Sequence, residues 1–381
     1  MEPIVMVDLA RQHAGIREDI EMAFIDVFDS SAFIKGPYVN KFENGLAEFL
    51  DINHVIGVAN GTDALQLAIM ALDLPDGSEI ITPDFTFVST AEVVRLMGHI
   101  PVLVDVDADT FNILPSAIEE AITENTRAII PVHLFGQCCD MDAITQIAGK
   151  YGLFIIEDNA QSLGADYTFS NGKRQKAGTI GHIGCTSFFP SKNLGCMGDG
   201  GALFTNDATL ADKIKTFANH GMGNQYEYET IGINSRLDGI QAAWLSVKLK
   251  HYTGYIGDRN NLADFYDELF ANMQGIQIPV RSANSTHIFH QYTLKVLDGE
   301  RDQISKYLND AGIPNKVYYP NPIHNSKPYH DHSIFHIDRL TNSLALSKQV
   351  LSMPMHTEMD DEQMEYIKKT VEQYKAQKQS K

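Results

Sequence analysis

The sequence is poor in cysteine, has no long apolar run and carries no excess of positive charge. Cys138, Cys139, Cys185 and Cys196 are the four cysteines in 381 residues, and no C-x-x-C occurs. A disulfide framework and a structural zinc site are therefore not expected, and the cytoplasm fits best. No apolar stretch approaches ~18 residues, so no membrane span is expected. The start, MEPIVMVDLARQHAG, lacks the basic-then-apolar pattern of a secretory signal. Lys and Arg number 30 against 49 Asp and Glu, a formal net charge of −19. Non-specific binding to nucleic acid or an anionic membrane is excluded by that balance, while an anionic small substrate in a local cationic pocket is not. Neither G-x-G-x-x-G nor G-x-x-x-x-G-K-[ST] is present, which removes the usual support for a dinucleotide or P-loop site.

What is present is an alternation. HVIGVAN, EIITP, PVLVDV, RAIIPVH and LFIIEDN are short and apolar on both faces, as strands of a covered parallel sheet are. ALQLAIMAL, TFVSTAEVVRLMG, LPSAIEEAIT and MDAITQIAGKYG read as the helices between them. The pattern predicts an α/β fold with a doubly wound, mostly parallel sheet. CTSFF and GALFT follow as strands, then a long amphipathic helix in SRLDGIQAAWLSVKLKHY. Past about residue 255 the strands thin out and charge, Tyr and His increase. We therefore expect a large domain over 1–250, its first ~15 residues an arm, and a smaller C-terminal α+β domain over 251–381. The end from Glu362 to Lys381 reads as a solvated, fraying helix.

Three segments carry candidate chemistry. In ANGTDALQLAIMAL a strand ends and Gly61 and Thr62 open a helix. Free N–H groups at such a start bind a phosphate, and Gly61 permits close approach. A plain cap by Thr62 or Asp63 is the alternative. In LFIIEDNAQSLGA, Asp158 ends a buried strand, at the edge that faces the ligand crevice of open α/β sheets. A carboxylate there calls for a cation such as a protonated ring nitrogen; the alternative is a turn-capping Asp with Glu157 as a solvated neighbour. In SFFPSKNLGCMGDGG, Lys192 stands among small, apolar and turn-forming residues, between Ser187 and a glycine cluster. A desolvated lysine suits imine formation, whereas a loop lysine needs no such setting. Together, a phosphate cradle, a strand-end Asp and a lysine at a later strand–loop junction are the parts of a pyridoxal phosphate site. Phe85 and Phe87, just past another strand end, supply an aromatic ring to stack on the pyridine.

With these segments in hand, the sequence resembles the DegT-type aminotransferases. These are pyridoxal-phosphate enzymes of aspartate-aminotransferase fold type I that act on nucleotide-linked keto sugars. FIKGPYVNKFE, NGTDALQLA, PDFTFVSTAEVV, PVHLFGQ, EDNAQSLGA, SFFPSKNLG, GINSRLDGIQAA and YYPNPIH carry the resemblance across nearly the whole chain. It implies a large domain with a seven-stranded-type sheet. It implies that Lys192 is the Schiff-base lysine and proton shuttle, that Asp158 pairs with the pyridine nitrogen and that Gln161 contacts the ring hydroxyl. Gly61, Thr62 and Ser187 are implied to hold the phosphate and Phe87 to stack on the ring. Asn234 is implied to reach the phosphate site of a neighbouring subunit, making a homodimer with shared sites. Arg236 is implied to face the anionic part of the substrate, with Tyr319 and His324 on the sugar side. Glutamate is the implied amino donor, pyridoxamine phosphate the intermediate cofactor form, and a surface polysaccharide or other amino-sugar route the setting. SFFPSKNLG favours amination at C3 over C4; the sugar and its nucleotide carrier stay open. A cyclitol or other small keto substrate, or a non-catalytic cofactor-binding relative, are the other readings. The Cys138–Cys139 pair reads as packing, Cys196 has no account, and the spacing of His330, His332 and His336 is loose for a metal.

Overall fold

Short aliphatic strands build the centre of the chain, described here from a computed structural model covering residues 1–224 and 226–379. The main sheet contains β1 (His54–Val58), β2 (Glu79–Pro83), β3 (Ile100–Val104), β4 (Thr126–Ile129), β5 (Phe154–Asp158), β6 (Ile183–Ser187) and β7 (Gly201–Thr205). Their order is β1-β7-β6-β5-β4-β2-β3. The pairs β2–β3, β2–β4, β4–β5 and β5–β6 are parallel, and β7 runs antiparallel to both neighbours. β7 returns antiparallel to β6 through the loop 188–200, which contains no crossover helix of the kind a parallel return uses.

Helices cover both faces. Ala64, Leu65, Leu67 and Ala68 of the helix Gly61–Ala71 pack with Ile80, Ile156 and Leu203 on one side. Ile144 and Ile147 of Met141–Tyr151 pack with Ile81, Ile129 and Ile155 on the other. The exposed edge of β3 is covered rather than left open: Ile334 N–H donates to Pro101 O (2.9 Å) and Leu103 N–H to Ile334 O (2.8 Å).

A second core gathers around a three-stranded antiparallel sheet of Ile276–Gln277, Tyr292–Val296 and Val350–Met353. The 32-residue helix Gly239–Phe270 runs through residue 250, where the large domain was expected to end; Trp244 and Leu245 pack with the N-terminal helices, and Tyr266 and Phe270 enter the second core. Ile4 also lies in that second core, and Met355 N–H donates to Met6 O (3.2 Å), so the N-terminal segment packs on the C-terminal body. The helix Asp361–Gln379 is not the solvated one expected: Gln363, Ile367, Val371 and Tyr374 are buried, because its apolar residues recur at helical spacing and face the second core. Residues 380 and 381 lie outside the described residues. Among the described residues, no helix is long and apolar enough to cross a membrane.

Candidate active site

The strand ends converge. Asn60 and Gly61 follow β1, Thr86 and Phe87 follow β2, Asp158 closes β5, Ser187 closes β6, and Lys192 sits in the loop from β6 to β7. All of these line one cavity of about 700 Å³, with Ala160, Gln161, Cys185, His290, Gln291 and Tyr319. A cleft of this size accommodates a cofactor with a small ligand.

The phosphate cradle is built by close approach. The cap of the helix Gly61–Ala71 is Asn60, not Thr62 or Asp63: its Oδ1 accepts the Asp63 N–H at 2.8 Å. Thr62 and Gly61 therefore keep the N–H groups that have no partner one turn back. A Cβ on Gly61 would lie 2.7 Å from Ser187 Cβ, and one on Gly201 2.5 Å from the Asn60 carbonyl. Only glycine lets the three segments meet. Ser187 Oγ accepts the Phe189 N–H (3.2 Å), so its hydroxyl proton remains available to an anion.

Burial controls the charges. It lowers the pKa of Lys192 to about 8, against the pull of Asp158. Among the described residues, the Lys192 amine has no hydrogen-bond or ion-pair partner. Burial raises the pKa of Asp158, opposed by the Ala160 N–H on its Oδ1 (3.0 Å) and by the charge of Lys192. A cationic ring nitrogen beside Asp158 would relieve that penalty. The Thr86 Oγ1 is buried without a partner in the same cavity. An orphan hydroxyl, a free amine, a desolvated carboxylate and open helix N–H groups together fit pyridoxal phosphate.

Gln161 is locked in orientation. Its Oε1 accepts the Phe135 N–H (2.8 Å) and its Nε2 donates to the Tyr319 hydroxyl (3.2 Å). Phe87 lines the cavity with 55% of its surface exposed, its ring 6.5 Å from that of Tyr319.

Three expected residues are placed elsewhere. His324 is buried outside the cavity lining, its Nδ1 2.6 Å from Asp84 and its N–H donating to the same carboxylate (2.9 Å). That contact ties the end of β2 to the C-terminal body. Asn234 is exposed and Arg236 partly buried, both off the cavity lining. Arg236 lies near Lys35, whose pKa is lowered by burial and by that guanidinium.

Glu157 is not solvated but fully buried. Its carboxylate accepts the N–H groups of Gly178 (2.8 Å), Ile180 (2.7 Å) and Gly181 (2.5 Å), and faces His133 Nε2 at 2.8 Å. His133 Nδ1 accepts the Cys139 N–H (3.1 Å), so the ring proton is on Nε2 and is donated to Glu157. Cys138 lies 3.7 Å from that ring, making a His, Cys and Glu group of metal-ligand type. The carboxylate already has four donors, so its lone pairs are committed. Cys196 now has an account: its thiol faces the carbonyls of Phe188 (3.0 Å) and Gly198 (3.1 Å) and folds the Lys192 loop onto itself. His330, His332 and His336 are exposed.

Sequence reasoning missed His290, Gln291, Ala160 and Thr86. Ala160 was within reach, two residues past Asp158 in the quoted segment. His290 and Gln291 come from the C-terminal body, and no local pattern points them at Lys192.

Residues 15–372 match the profile of the DegT/DnrJ/EryC1/StrS aminotransferase family. The chain is 42% identical, over 96% of its length and 98% of the relative's, to the UDP-2-acetamido-2-deoxy-3-oxo-D-glucuronate aminotransferase of Pseudomonas aeruginosa. The crystal structure of S. venezuelae DesV with a ketimine intermediate superposes with a TM-score of 0.93 at 34% identity, over 98% of this chain and 99% of that one. NtdA from Bacillus subtilis, with bound PMP, superposes with a TM-score of 0.86 at 31% identity, over 97% and 83%.

Proposed function

Since the chain belongs to the DegT/DnrJ/EryC1/StrS aminotransferase family, we propose that it aminates a nucleotide-diphosphate-linked 3-keto sugar, using glutamate as donor and pyridoxal phosphate as cofactor. The enzyme is a transaminase of pyridoxal phosphate, and nucleotide-linked keto sugars are its substrate class. One observation carries the reading: Lys192, Asp158 and the Gly61–Thr62–Ser187 cradle face one cavity. The bound cofactor supplies an electron sink for cleavage of a C–H bond next to nitrogen. The remaining work falls to the chain. The N–H groups of Gly61 and Thr62 and the Ser187 hydroxyl hold the phosphate, and Asp158 keeps a ring nitrogen protonated. Lys192, with a pKa near 8, attaches the cofactor and, once displaced, takes and returns a proton at Nζ. Gln161 and Phe87 orient the ring.

Amination at C3 is favoured because the Pseudomonas relative is named for a 3-oxo sugar. A surface-polysaccharide or lipopolysaccharide route is the setting we propose, in the cytoplasm, where four unpaired cysteines persist. A homodimer is supported by the exposed apolar residues Met22, Ile25 and Phe28, spaced three apart on the helix Arg17–Ser30. In that dimer Asn234 serves the phosphate site of the neighbouring subunit, and Arg236 faces the anionic part of the substrate.

The test uses purified protein. It is expected to bind pyridoxal phosphate with a yellow chromophore that borohydride fixes to Lys192. Its pyridoxamine form is expected to aminate members of a panel of UDP- and dTDP-linked 3-keto sugars faster than 4-keto ones. Turnover of cyclitol ketones alone, with no sugar nucleotide accepted, overturns the substrate class.

A further inference from the structure

His290 reaches the cavity from the C-terminal body and has no part in the site derived so far. The approach is fixed at several points. Ile288 N–H donates to Gly136 O (2.9 Å). Asn193, next to Lys192, donates from Nδ2 to Ile288 O (3.1 Å). The buried Arg259 guanidinium donates from Nη1 to the carbonyls of Phe289 (3.0 Å) and Met355 (3.1 Å).

These contacts decide where the imidazole proton sits. A carbonyl only accepts, so the Asn193 amide must turn Nδ2 to Ile288 and Oδ1 to His290. Oδ1 in turn only accepts, and it lies 3.0 Å from His290 Nδ1. Nδ1 therefore carries the hydrogen and donates it. Nε2 is left as a lone pair, on the one ring nitrogen still available to the cavity that Lys192 also lines.

We propose that His290 is a positioning residue for Lys192. Its Nε2, held as an acceptor through Asn193, receives an N–H of the lysine amine once pyridoxamine phosphate fills the cavity and leaves that amine displaced, a contact the unpartnered Lys192 amine does not make in the cofactor-free protein. The amine is then aimed rather than left to rotate about its four-carbon stem. The inference rests on Lys192 being the working amine of a transaminase. His290 stays neutral in this role: burial drives its pKa well below 6.5, and the charges of Lys192 and Arg259 drive it further down. Those two cations are the charged groups that face it, Lys192 from the β6–β7 loop and Arg259 from the long helix; Asp158, on β5, acts on Lys192 in the opposite sense.

The experiment compares wild type, His290→Phe and His290→Gln as holoenzymes loaded with pyridoxamine phosphate, which leaves Lys192 free. Glutamine can donate to Asn193 and still present an oxygen to the cavity; phenylalanine can do neither. Competitive acetylation of Lys192 with trace acetic anhydride, read by mass spectrometry across pH, gives the midpoint of the amine. An acceptor stabilises the ammonium, so the midpoint is expected to fall by about half a pH unit or more in His290→Phe and to recover in His290→Gln. In a separate measurement on the pyridoxal phosphate forms, the kcat of the glutamate half-reaction is expected to fall about tenfold or more in His290→Phe, with KM little changed, and to recover within a few-fold in His290→Gln. Thermal unfolding identifies a variant that fails to fold, and His290→Gln then decides by its own midpoint. An unchanged midpoint in folded His290→Phe overturns the inference, as does a Gln variant displaced as far as Phe, and both leave the transaminase reading standing. A wild-type protein that takes up no pyridoxal phosphate overturns that reading and the inference with it.

Discussion

Gln161 donates from Nε2 to the hydroxyl of Tyr319 at 3.2 Å while its Oε1 holds the Phe135 N–H at 2.8 Å. One side chain thus joins the strand-end wall of the cavity to a tyrosine in the segment between the strands Tyr292–Val296 and Val350–Met353 of the second core. Gln161→Leu leaves a buried N–H without an acceptor and is expected to destabilise the protein by about 1–3 kcal/mol. Tyr319→Phe removes only an acceptor for Nε2 and is expected to remain within about 1 kcal/mol of wild type. Urea midpoints of the cofactor-free proteins check both.

Lys192→Met is expected to abolish the fixed chromophore and transamination while stabilising the cofactor-free protein at pH 7. The folded amine has a pKa of about 8 against 10.5 for the free side chain. Between those values the unfolded chain holds the extra proton, so wild-type stability rises with pH across that window. Below it the whole burial penalty is present. The variant's advantage, about 1–3 kcal/mol at pH 7, is expected to shrink toward zero as pH passes 10.5. Thermal melts of both proteins at several pH values measure it.

Gly61→Ala is expected to weaken cofactor binding about tenfold or more. The added Cβ would meet Ser187 Cβ at 2.7 Å, so the helix start must back away from β6 and carry its free N–H groups with it. Titration of the cofactor-free protein with pyridoxal phosphate gives the Kd. An unchanged Kd would place the phosphate elsewhere.

Glu157→Gln is expected to destabilise the fold by about 2–5 kcal/mol. Both carboxylate oxygens accept hydrogen bonds, two on each, and an amide NH2 placed at either position faces donors it cannot accept. The loss should register in unfolding midpoints before it registers in substrate KM, since Glu157 does not line the cavity.

Much of the site was readable because its parts sit at strand ends, and strand ends follow from apolar runs and the polar residues that stop them. Asp158 and the Gly61–Thr62 start were visible this way, and Lys192 by its company. The alternative that made Glu157 a solvated neighbour fails, because its donors, the backbone N–H groups of Gly178, Ile180 and Gly181 and the ring of His133, leave no mark beside it in the sequence. The His324–Asp84 contact was invisible for a related reason: the two residues are distant in sequence, and nothing near either announces the pair. The terminal helix shows the opposite case. Its charge suggested solvent, but Ile367, Val371 and Tyr374 share a face, and that periodicity outweighs composition. His290 needed the whole tertiary structure, since only the packing of the second core brings it to Lys192.

The helix Gly239–Phe270 imposes a phase on everything it carries. Trp244 points into the N-terminal helices and Arg259 grips the carbonyls of Phe289 and Met355, with an unbroken helical run between them. Each residue turns an α-helix by about 100°. Inserting or deleting a single residue between Trp244 and Arg259 would swing the guanidinium off its carbonyls, whereas four residues would bring it nearly back into register, displaced by about 6 Å along the axis. Length variation in this chain should therefore be rare within that interval and gather in the loops beyond it.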